Sequence, residues 1–131
     1  MKKEMKVKTR PLTNYEQNVL LPILVKALRI KKGKKNAVTA KQMVSALQSH
    51  GLKLHESNVC RIVNYIRMND LIVGLMASSA GYYIISSEQD FIRYEYTLMS
   101  REAALRRLRM RMERQRTVLF KELSHKEKQL F

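Results

Sequence analysis

The chain has 131 residues, 45% of them hydrophobic, which allows one domain with a small core and an extension but not two ordinary domains. It carries 26 Lys and Arg against 11 Asp and Glu, a formal charge of +15, so its field attracts polyanions and releases their counterions. Its one cysteine, Cys60, excludes an internal disulfide, and no run approaches the ~18 apolar residues of a membrane span. Nucleic acid is therefore the first candidate partner, ahead of an anionic membrane surface or an acidic protein. A reducing, cytoplasmic setting fits the single thiol.

Residues 1–12 read as a basic arm, with Lys2, Lys3, Lys6, Lys8 and Arg10 against Glu4 alone and Pro11 as a helix breaker. The arm lacks the apolar segment and cleavage site of a signal peptide. It is either a solvated tail or a phosphate-contacting arm. Thr13 and Glu16 then have the spacing of a capping box, and a helix is expected over residues 14–30. Val19, Leu20, Ile23, Leu24, Ala27 and Leu28 form its buried stripe, and Pro22 bends it, leaves it locally irregular or divides it into two shorter helices.

Lys26, Arg29, Lys31, Lys32, Lys34 and Lys35 follow without an acid among them, and Gly33 stops the helix. Cations suit a helix C-terminus, which accounts for Arg29 or Lys31 but not for the whole run. Lys31, Lys32, Lys34 and Lys35 are read as a phosphate-contacting loop. Ala37 and Val38 suit a short strand. Thr39 and Gln42 form a second capping box, opening a helix to about residue 50 with Met43, Val44, Ala46 and Leu47 inward and Gly51 as its stop.

In residues 56–69, Val59, Ile62, Val63 and Ile66 fall at i, i+3, i+4 and i+7, so this helix also has one apolar face. Its other face carries Ser57, Asn58, Arg61, Asn64, Tyr65 and Met68. Two short apolar runs, 71–76 and 82–85, then suit strands, with the small residues 77–81 as the turn between them. Helix, turn, helix, hairpin is the order of a winged helix-turn-helix.

The run Val59, Ile66-Arg67, Ile72 and Gly81-Tyr82 resembles the winged-helix domain of biotin-operon-repressor type, as found in short phage and prophage regulators. The resemblance covers residues 13–86. The chain departs from it at Asn69-Asp70, where that family often has Gly, but both residues tolerate left-handed backbone. No ligase or ligand domain follows, so no biotin chemistry is implied. The resemblance implies that residues 56–69 form a recognition helix whose outward side chains enter the major groove of DNA. Asn58, Arg61 and Asn64 are then the base-reading candidates, since Asn pairs with adenine and Arg with guanine. Ser57, Tyr65, Arg67, Lys41 and the wing residues Ser78 and Ser79 join the four lysines as backbone contacts. The wing tip lacks Lys or Arg, which counts against a phosphate-gripping wing. The plain alternative for the polar face is solvation.

Ser87 caps a last helix, with Asp90 at its third position and neither Gly nor Pro after it. Phe91, Tyr94, Leu98, Leu105, Leu108, Met112 and Leu119 have a 3-4 spacing, interrupted at Arg101, Gln115, Glu122 and Lys126. Residues 87–131 are expected to form a long basic helix able to pair with a second subunit.

No catalytic constellation is present. The histidines (His50, His55 and His125) and Cys60 do not supply the four ligands of a zinc site, and there is no Gly-rich phosphate loop. The expectation is a non-enzymatic, mainly α protein with a small β-hairpin wing (α+β), a winged helix-turn-helix with a long C-terminal helix. It would need no cofactor, metal, membrane or small-molecule substrate. It would bind double-stranded DNA as a homodimer and act as a phage-type regulator by occupancy, in the nucleoid of a bacterial cell. The alternative is an interaction module or accessory factor in phage replication or packaging.

Overall fold

A computed structural model describes residues 11–130, and the side chains of residues 11–122. It is mainly helical, with one small antiparallel hairpin and a long C-terminal helix. The elements are α1 (Leu21–Leu28), preceded by a π-helical turn over Glu16–Leu20; a 3-10 turn at Lys34–Asn36; α2 (Ala40–Ser49); α3 (Glu56–Met68); β1 (Leu75–Ser78); β2 (Gly81–Ile84); and α4 (Glu88–Leu130). The chain divides into two compact units, one ending at Glu88 and the other beginning at Gln89. The expected basic arm lies, through residue 10, outside the described residues.

Pro22 does not split the first helix but leaves it locally irregular. The π turn just before it carries a Leu21 N–H to Glu16 O bond, one residue longer than an α-helical bond. That wider turn accommodates a residue with no amide hydrogen and a ring that crowds the preceding carbonyls. Leu20, Leu24 and Leu28 are completely buried, whereas Val19, expected inside, is exposed. Met43, Leu54, Val59, Ile62, Val63, Ile66, Ile72 and Leu75 complete the core, so α1, α2, α3 and the hairpin share one apolar cluster. Both capping boxes form as the spacing predicts, Thr13 with Glu16 and Thr39 with Gln42.

The end of α3 bears out the Asn69-Asp70 turn. Asp70 takes φ +56°, and the Leu71 amide returns to Ile66 O at 3.1 Å, the long closing bond of a Schellman cap. Relieving that left-handed conformation with Asp70→Gly is expected to stabilise the fold by about 0.5 kcal/mol, read by urea unfolding.

The hairpin is displaced from its expected position. Residues 71–74 are a turn rather than strand, and Ala77 and Ser78 lie inside β1. Cα register pairs Leu75 with Ile84 and Ser78 with Gly81, leaving only Ser79-Ala80 as the loop. The apolar character of 71–73 has another cause, since Ile72 alone turns inward and is buried. Val38 does add a strand-like edge: its N–H donates to Tyr82 O at 3.0 Å and its carbonyl accepts from Tyr82 N–H at 2.7 Å.

Candidate nucleic-acid interface

The charged loop between α1 and α2 is built into the sheet. The Gly33 amide donates to Ile84 O at 2.8 Å, and the Ile84 amide donates to Lys31 O at 2.7 Å. Asn36 Nδ2 adds a bond to Lys32 O at 2.8 Å, and the 3-10 turn holds Lys34 and Lys35. Lys32, Lys34 and Lys35 are exposed and Lys31 half-buried. The lysines therefore sit at the Ile84 end of β2 on pinned backbone. Along the same edge the chain passes Tyr82 and Gly81 and enters α2, whose first turn carries the exposed Lys41. The structure thus gathers Lys31, Lys32, Lys34, Lys35 and Lys41 along one side of β2.

At the hairpin tip, Ser78 and Ser79 are exposed. Ser78 Oγ donates to Gly81 O at 3.1 Å and accepts from the Ala80 amide at 3.2 Å, so its hydroxyl closes the two-residue loop. It is engaged within the tip rather than offered outward. No cation stands at the tip, as the sequence indicates.

On α3, two of the three candidate base readers converge on a buried carboxylate. Glu16 has no exposed surface. Its Oε1 accepts from the Thr13 amide at 2.9 Å. Its Oε2 accepts from Asn58 Nδ2 at 3.0 Å and from Arg61 Nε at 3.1 Å, with Arg61 Nη2 also at 3.0 Å. Asn58 Oδ1 takes the His55 amide at 2.7 Å and so caps α3. The polar groups of Asn58 and Arg61, the expected base readers, turn back into the fold here and fasten α3 to the π turn before α1. Burial pushes the Glu16 carboxyl up, but the Thr13 amide, the Asn58 amide and the Arg61 guanidinium together outweigh it and hold it below the usual carboxylate range.

Ser57 remains exposed on α3, and Asn64, Tyr65 and Arg67 are half-buried. Tyr82, half-buried on β2, brings its hydroxyl to 3.5 Å from Cys60 Sγ. Burial, then the Cys60 contact, push that phenol well above its ordinary range. Two further contacts shape the α2–α3 turn. Gln48 Nε2 donates to Leu54 O at 3.2 Å, and the Lys53 amide donates to Tyr15 Oη at 3.2 Å. Sequence reasoning assigned Glu16 to its local cap and found no long-range role for it. The available signal was an acid preceding an otherwise basic and apolar helix.

Among the described residues there is no group of three or more metal-ligating side chains, and no helix long and apolar enough to cross a membrane. No family model, curated protein or solved structure matches the chain.

Proposed function

We propose that the chain is a small winged helix-turn-helix protein that binds double-stranded DNA as a homodimer and regulates transcription by occupying its site, in the manner of short phage or prophage regulators in the bacterial cytoplasm. The observation that supports this most is the pinning of the lysine run to β2. Five cations on ordered backbone beside a helix-turn-helix-like pair of helices form a phosphate-tracking edge, where positional order lowers the entropy cost of each contact. In this reading Lys31, Lys32, Lys34, Lys35 and Lys41 supply affinity. Sequence preference rests on the polar face of α3, with Asn64 as a base-reading candidate and Ser57, Tyr65 and Arg67 as backbone contacts.

A second reading, a winged-helix interaction module or accessory factor of phage replication or packaging, is favoured by the uncharged tip with its internally bonded Ser78. Selection from random duplexes at about 0.15 M salt separates the two, since weak phosphate contacts are already penalised there. The regulator yields an enriched, palindromic site. The double variant Lys31→Ala/Lys32→Ala then weakens all duplexes alike and lowers the salt slope by about 2, whereas Asn64→Ala relaxes one position at a cost of about 1–3 kcal/mol. Failure to retain any duplex sinks the DNA reading and leaves the interaction module.

A further inference from the structure

α4 carries a strict seven-residue apolar repeat: Phe91, Leu98, Leu105, Met112 and Leu119. Its members from Leu98 onward are all exposed, Leu105 to 67%. The companion seam positions are mixed: Tyr94, Arg101, Leu108, Gln115 and Glu122. A helix of 43 residues is about 65 Å long, and one with an exposed apolar repeat along it is expected to bury that repeat against a partner.

We infer that α4 pairs with α4 of a second copy of this chain, and that the two helices run antiparallel; the inference rests on the homodimer proposed above and specifies its geometry. The seam itself points to this orientation. A parallel pair in register sets each mixed position against itself, so Arg101 meets Arg101 and Glu122 meets Glu122 of the second copy. An antiparallel pair sets every mixed position against a member of the apolar repeat. The aliphatic stems of Arg101, Gln115 and Glu122 then lie on apolar side chains while their polar ends reach water.

The flanking charges agree. The column after the mixed positions reads Glu95, Glu102, Arg109, Arg116, acidic in its first half and basic in its second. Antiparallel helices lay this column against its own reverse, acid on base throughout. Parallel helices lay it against the other flank (Asp90, Thr97, Ala104, Arg111, Val118), which brings Asp90 to Glu95 and Arg111 to Arg116, like on like at both ends. Arg109 also stands 3.5 Å from Glu113 of its own helix, an exposed pair of small worth that does not fix its direction.

Sedimentation equilibrium of the full chain tests the orientation. Wild type is expected to dimerise. Glu95→Arg/Glu102→Arg makes the column wholly basic and is expected to weaken the dimer about tenfold, as several flanking pairs change from attractive to repulsive. Adding Arg109→Glu and Arg116→Glu reverses the column and restores the dimer. In a parallel pair the first variant brings the guanidinium introduced by Glu95→Arg against Asp90 and tightens association. Tightening, or no change, therefore overturns the antiparallel assignment while leaving the homodimer intact. A wild-type chain that stays monomeric at high concentration overturns the homodimer itself.

Discussion

Replacing Glu16 with Ala is expected to destabilise the N-terminal unit by about 3 kcal/mol, more than any other single polar substitution in it. The carboxylate is completely buried and accepts from three residues on two separate segments. Alanine leaves the Asn58 amide and the Arg61 guanidinium without their acceptor. Asn58 cannot turn over to compensate, because its Oδ1 is fixed by the His55 amide at 2.7 Å. The guanidinium side chain is 25% exposed, so water offsets part of its loss and keeps the figure below that of a fully enclosed pair. Glu16→Gln is milder, about 1–2 kcal/mol, since an amide keeps one acceptor where the carboxylate has two. Urea unfolding at pH 7 gives both values. Glu16→Ala and Arg61→Ala should be strongly non-additive in a double-mutant cycle, because either change alone removes the same contact.

The same carboxylate gives the fold a defined acid sensitivity. Its folded pKa lies below the ordinary value of 4.5, so its stabilising contribution is fully present above that value and is lost as pH falls through the lowered folded pKa. Wild type should therefore lose stability from about pH 5 downward, and Glu16→Gln should show a flatter profile across the same window. The gap between the two narrows on acidification. A gap that stays constant from pH 7 to pH 3 would show that folding does not lower the pKa of this carboxyl.

What the sequence disclosed and what it hid divide along the range of the interactions. Capping boxes act over three residues, so Thr13 with Glu16 and Thr39 with Gln42 were legible from spacing alone. The apolar face of α3 was legible for a similar reason, because the helical period places Val59, Ile62, Val63 and Ile66 together. The left-handed turn at Asp70 followed from residue type. Glu16 with Asn58 and Arg61 spans 42 and 45 residues, and no local period marks such a pairing. Polar residues on the rim of a helix are consistent with solvent, with a ligand, or with a distant buried partner. Pattern alone does not separate these, and here it favoured the ligand for two residues that turn inward. The hairpin was misplaced because Leu71, Ile72 and Val73 have strand-like side chains in a turn, where only Ile72 is buried. A local irregularity at Pro22 was legible, but not its form as a π turn, since proline reports that a helix must adjust and not how.

Gly81→Ala is the second substitution with a large expected effect, about 3 kcal/mol, and its consequence reaches the lysine edge. Gly81 holds φ +117°, and a Cβ there would lie 2.6 Å from both the carbonyl carbon and oxygen of Val38 and 2.9 Å from the Thr39 nitrogen. These are backbone atoms, so a rotamer change cannot relieve the clash. The strand edge has to move away, and the two Val38–Tyr82 hydrogen bonds, at 2.7 and 3.0 Å, are lost with it. Thr39 is also the N-cap of α2, so displacing it loosens the helix start that carries Lys41. Gly51 provides the control. It too has positive φ, +85°, but a methyl group there would meet nothing within 4 Å, so Gly51→Ala should cost only about 1 kcal/mol of backbone strain. Amide hydrogen exchange distinguishes the cases: Val38 and Tyr82 should lose protection in Gly81→Ala and keep it in Gly51→Ala. If Gly81→Ala instead lowers global stability while those two amides stay protected, the close approach of β2 to Val38 is not what demands glycine. If the amides do open, the proposed duplex binding should fall in step, because the lysines from Lys31 to Lys35 are ordered by the same β2 edge.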